Sequence, residues 1–152
     1  MRKTSRTIGF LVLPLLLAAS DAQLEPGLWE VVNTPGAITL DGRELDDVPL
    51  SPAKTERVCL AATDAAEPAR FFARDTLVDC QITSASVAGG AVAIRAACPN
   101  PDEGEDGAIE LNGRYDGAGY QLDFTSRSED FQGITNFSGK LSGRRLGACP
   151  NG

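Results

Sequence analysis

The stretch from Cys80 to Cys98, CQITSASVAGGAVAIRAAC, constrains the fold more than any other part of the chain. Runs of alternating character flank Ala88-Gly89-Gly90, and a three-residue loop with a glycine in the left-handed region is a common hairpin connection. With that loop, Val87 faces Ala91. Counting outward then places Ser86 opposite Val92, Ser84 opposite Ile94, Ile82 opposite Ala96 and Cys80 opposite Cys98 on one face. The spacing therefore predicts a β-hairpin closed by a Cys80–Cys98 disulfide.

Whether those thiols are oxidised depends on compartment, and the amino terminus bears on that. Arg2, Lys3 and Arg6 precede an apolar run from Ile8 to Ala19, and Ser20-Asp21-Ala22 offers small residues at the minus-three and minus-one positions. This is the pattern of a secretory signal peptide over residues 1–22. The run is shorter than the roughly 20 apolar residues a spanning helix needs, and no comparable stretch follows. No cysteine sits at the end of the run to serve as a lipoprotein anchor, and Cys59 is too far along. The expectation is a soluble periplasmic or secreted protein with one domain over residues 23–152. An even set of four cysteines in such a chain predicts two disulfides; with Cys80 joined to Cys98, Cys59 is left with Cys149.

Charge and composition narrow the partners. The chain holds 14 Lys+Arg against 21 Asp+Glu, a net charge of −7; removing residues 1–22 takes away three bases and one acid and leaves −9. Such a balance argues against nucleic acid and anionic membranes, which need clustered cations. The chain has no histidine and no CxxC pair, so no metal site is expected. Ser-His-Asp and Cys-His catalysis are excluded for the same reason, and oxidised cysteines offer no thiolate. Asp102, Glu103, Glu105 and Asp106 lie close together, but an EF-hand register starting at Asp102 puts Gly104 and Gly113 on ligand positions three and twelve. Glu30, Glu110 and Asp123 are nominal carboxylates for glycosidic chemistry, among acids numerous enough to approach by chance. No cofactor motif is present.

The rest reads as strands. LEPGLWEVVNT opens with a Pro26-Gly27 turn and a strand through Leu28, Trp29, Val31 and Val32. Trp29 is expected chiefly as a core anchor, with a ligand-stacking platform as the alternative. Residues 34–52 carry repeated Pro, Gly and Asp and read as a loop, with a short strand at 37–40. KTERVCL is a strand. Thr63 or Asp64 can cap a helical turn, Pro68 suits the first turn of a following helix, and Phe71 with Phe72 supplies its apolar face. A second hairpin with Gly117-Ala118 as its loop aligns Tyr115 with Tyr120, Gly113 with Leu122 and Leu111 with Phe124. The last strand alternates Phe131, Gly133, Thr135, Phe137, Gly139 and Leu141, its glycines marking bends or close approach. Asn136-Phe137-Ser138 matches a glycosylation sequon inside that strand and carries no weight.

Pro26-Gly27-Leu28-Trp29-Glu30, the later VCL, the cysteine-bracketed hairpin and the closing SGRRLGAC together resemble the bacterial DUF3617 family, named for its unknown function. The resemblance spans nearly all of the chain beyond the leader. It implies export to the bacterial envelope and the same cysteine framework, and it transfers no catalytic residue. Relatives tend to be methionine-rich in their later strands; with one methionine, this chain does not inherit a role resting on that side chain.

The expected architecture is mainly β: a single antiparallel, strongly curved sheet or partly closed barrel of about seven strands, with one short helix across one end. The expected function is a non-enzymatic periplasmic protein that binds an apolar or amphipathic small ligand in the curved sheet, with Trp29 and an anion clamp of Arg144 and Arg145 as ligand-binding residues. The alternative is an envelope protein-interaction or structural module using an exposed strand edge or acidic face.

Overall fold

The computed structural model describes residues 22–74, 76–77, 79–99 and 106–150. Residues 1–21 of the leader and the acidic run 102–105 lie outside them, so the fold does not address a calcium site in that run.

The chain is mainly β, with eight antiparallel strands and two short helices among the described residues. The strands are β1 (Gly27–Leu40), β2 (Arg43–Glu44), β3 (Lys54–Leu60), β4 (Gln81–Ala88), β5 (Ala91–Cys98), β6 (Gly107–Tyr115), β7 (Gly119–Asp130) and β8 (Gly133–Gly147). They lie in the order β2-β1-β8-β7-β6-β5-β4, with β3 also paired to β1. Helices α1 (Ala62–Ala65) and α2 (Pro68–Ala73) replace the single expected one. Ala61, and not Thr63 or Asp64, caps α1, without a side-chain bond. Pro68 does open α2, where its missing N–H costs nothing.

Every second residue of the central strands faces one buried side. Trp29 and Val31, Val92, Ile94 and Ala96, Leu111 and Tyr115, Tyr120, Leu122 and Phe124, and Leu141 all belong to the core, as a sheet with one covered face requires. The cover is α2, whose Phe71 ring lies 5.8 Å from Trp29 and whose Phe72 ring lies 5.1 Å from Tyr120 and 5.7 Å from Tyr115. The opposite face carries cross-strand ion pairs: Glu30 with Arg144 at 2.7 Å, Arg95 with Glu110 at 3.1 Å and Lys140 with Asp123 at 3.8 Å.

Three expectations are corrected. The β4–β5 loop has two residues, Gly89 and Gly90, both at positive φ (58° and 79°), so Val87 pairs with Val92 and Ala85 with Ile94. A bulge between Ile82 and Ser84 takes up one residue and returns Ile82 to Ala96, and the Cys80–Cys98 bond forms as expected. The short strand at 37–40 is the end of a 14-residue β1, which carries an irregularity between Pro35 and Ile38. Pro35 is tolerated because it sits at that irregularity, where Ser138 Oγ accepts from the Ala37 amide. Phe131 lies outside the last strand: it occupies the β7–β8 turn, 92% exposed, while Asp130 pairs with Gly133. The Tyr115–Tyr120, Gly113–Leu122 and Leu111–Phe124 pairs stand as aligned from the sequence.

Cys59 bonds Cys149, tying β3 to the chain that follows β8 across a separation of 90 residues. No helix among the described residues is long and apolar enough to cross a membrane.

Candidate functional site

Trp29 is at 0% exposure, and its indole N–H donates to the Glu25 carbonyl at 3.0 Å. Leu111, also at 0%, and Phe124 fill the neighbouring interior, and Phe137 packs against Phe124 with ring centroids 5.5 Å apart. The middle of the buried face therefore presents no surface on which a ligand could stack.

Arg144 and Arg145 are consecutive on β8, so their side chains leave on opposite sides of the sheet. Arg144 pairs with Glu30 on the open side, holding that carboxyl below its usual range through the hydrogen bond and charge of the guanidinium. Arg145 donates to the Pro26 carbonyl at 2.9 Å and approaches the Glu25 carboxylate at 3.6 Å. The two cations do not converge on a common point. Glu30, Glu110 and Asp123 each face a different cation in the ion-pair row, and they do not converge either.

The same contacts assemble something else. Residues 22–26 run as a strap across one end of the sheet, held at five points. Leu24 is buried at 3% exposure. The Glu25 amide donates to Gly117 O at 3.0 Å, Trp29 to Glu25 O, Arg145 to Pro26 O, and the Tyr115 hydroxyl to Ala22 O at 2.8 Å. Between this strap, the first turns of α1 and α2 and the β4–β5 tip lies a cleft of about 570 Å³. Leu24, Ala65, Pro68, Val87 and Ala88 give it apolar walls, and Tyr115 brings the hydroxyl. Small-molecule sites run from about 300 to 1,000 Å³ with mostly apolar walls and few polar groups. Sequence reading missed this cleft. It aligned Tyr115 correctly with Tyr120, but nothing local shows that the strap returns across the hairpin end.

A family model described as a protein of unknown function, DUF3617, matches residues 24–149. The chain belongs to the DUF3617 family. The match begins at Leu24, the first buried residue of the strap, and ends at Cys149, the partner of Cys59. No curated protein and no solved structure matches this DUF3617 chain.

Proposed function

We propose that this DUF3617 protein is an exported, non-enzymatic protein of the bacterial envelope, soluble after loss of residues 1–22, that holds an apolar or amphipathic small molecule. The observation carrying this reading is the 570 Å³ cleft, which has the size of a small-ligand site and in which the apolar side chains of Leu24, Ala65, Pro68, Val87 and Ala88 stand beside polar surface that includes Gln23 and the Tyr115 hydroxyl. The seat moves from the sheet interior to its rim, because Trp29, Leu111 and Phe124 already fill the interior. Trp29 and Arg145 serve the site by holding the strap that forms one wall.

A curled sheet is part of the proposal. Five inter-strand steps separate β1 from β4, roughly 24 Å at about 4.8 Å each, whereas a six-residue helix is about 9 Å long. Helix α2 nevertheless reaches Trp29 on β1 and lies against β4 and β5. Curvature of the sheet around the helix accounts for both contacts.

Native mass spectrometry of the protein purified from its own envelope, before and after organic extraction, tests the reading. A discrete extra mass lost on extraction is the expected result. A bare protein that takes up no apolar probe after extraction overturns it.

One feature favours the alternative of a protein-interaction module. Strand β4, QITSASVA, is an uncharged sheet edge with no strand on its outer side among the described residues. The opposite edge, β3, carries Lys54, Glu56 and Arg57, charges that discourage strand addition. Cross-linking in envelope extracts from residues introduced along β4 separates the readings: a single protein adduct favours the module.

A further inference from the structure

The expected leader junction falls inside the cleft. Ala22 packs against the core and accepts the Tyr115 hydroxyl, while the strap is anchored from Leu24 onward. Gln23 between them is exposed. Cutting the Ala22–Gln23 amide breaks one C–N bond, with water giving its hydroxyl to Ala22 and a proton to the Gln23 nitrogen. The cut takes away one residue of the cleft wall, Ala22, and Leu24, Glu25 and Pro26 keep their contacts. Tyr115, 7% exposed, then loses the acceptor of its hydroxyl. The hydroxyl lines the cleft, so the vacated position is open to an oxygen, from water or from the head group of a ligand. The new α-ammonium of Gln23 begins one bond from where the Ala22 carbonyl carbon stood, and an α-amino group is largely protonated at neutral pH, its ordinary pKa being about 7.7–8.0.

Resting on the ligand-binding reading above, we infer that the Ala22 carbonyl oxygen marks the place of a ligand oxygen, and that the exported protein takes an aliphatic carboxylate in this cleft. One carboxylate oxygen occupies the place of Ala22 O, accepting from the Tyr115 hydroxyl beside the Gln23 ammonium. The hydrocarbon chain lies along Leu24, Ala65, Pro68 and Val87. Two donors, one of them charged, at the end of an apolar cleft select an anionic oxygen over a neutral head group.

The test is calorimetric titration of the exported, lipid-extracted protein beginning at Gln23 with dodecanoate and, separately, with 1-dodecanol. Dodecanoate is expected to bind at least tenfold more tightly than the alcohol, and Tyr115→Phe, which keeps the ring, to weaken it by about tenfold, the loss of one bond to a charged acceptor. A protein retaining Ala22 at its amino terminus, and Val87→Phe, which narrows the cleft, are each expected to bind dodecanoate at least tenfold more weakly. Equal binding of acid and alcohol, with Tyr115→Phe indifferent, overturns the carboxylate assignment and leaves an apolar site standing. Binding insensitive to Val87→Phe overturns the location. Binding of neither probe removes the ligand reading together with this inference.

Discussion

Gly139 and Gly143 lie opposite Phe124 and Tyr120 on the neighbouring strand, and a Cβ at either position would run into the facing ring. The missing side chains let the rings lie down over the β8 backbone, which is how a sheet face carrying two large aromatics stays thin enough for α2 to cover it. Gly143→Ala is expected to lose about 1–3 kcal/mol in urea unfolding, the usual range for overpacking. Gly119→Ala, whose added Cβ meets only ordinary contacts, is expected to lose clearly less. A second effect at this scale concerns Glu30, whose carboxyl titrates below its ordinary value because of Arg144. A group with a lowered folded pKa stabilises above its unfolded pKa, about 4.3, and that contribution is lost as pH falls through the folded value. Stability of the wild type should therefore fall more steeply than that of Glu30→Gln over that acidic window. Parallel curves would show that the pair contributes nothing measurable, as holds for many exposed pairs.

At the scale of elements, the β4–β5 hairpin shows how two departures from the expected register cancel. The two-glycine turn shifts every pair by one residue, and the extra residue at the bulge shifts it back before the cysteines are reached. Because side chains alternate with a period of two, a slip of one residue reverses the face of everything beyond it. Deleting Thr83 while keeping Gly89-Gly90 is thus expected to remove the bulge and leave the far end of the hairpin in place: Ser84 still faces Arg95, Ile82 follows it opposite Ala96, and Cys80 stays opposite Cys98. Thiol titration of the folded variant should then find no reactive cysteine, as in the wild type. Two reactive cysteines would mean that the bulge does more than take up one residue. The expected three-residue loop was wrong for a physical reason: two consecutive glycines can both take positive φ, which suits a two-residue turn matching strand twist.

Across the whole molecule, the two disulfides constrain very different lengths of chain, 90 residues for Cys59–Cys149 and 18 for Cys80–Cys98. In the chain-entropy account, the longer loop stabilises more, by about 1–2 kcal/mol. Replacing Cys59 and Cys149 by alanine should therefore lower the denaturation midpoint further than replacing Cys80 and Cys98. The reverse order would place the main constraint inside the hairpin. The long bond also holds β3, the edge strand that leads into α1 and α2, and hence one wall of the cleft.

What the sequence by itself determined is everything carried by short-range alternation and by cysteine number. That covers the β class, both central hairpins, the pairing of Tyr115 with Tyr120, the apolar face of Phe71 and Phe72, both disulfides and membership of DUF3617. These depend on neighbours a few residues away or on elimination among four thiols. Only the tertiary structure decided that Trp29 is sealed in the core, that Arg144 and Arg145 part to opposite faces, that Phe131 stands in a turn, and that Ala22 meets Tyr115 across 93 residues of chain. Burial and convergence depend on which distant segments come to lie together. The strap, the hairpin tip and the helices that form the cleft are brought together by packing and by hydrogen bonds that leave no local mark in the residues themselves.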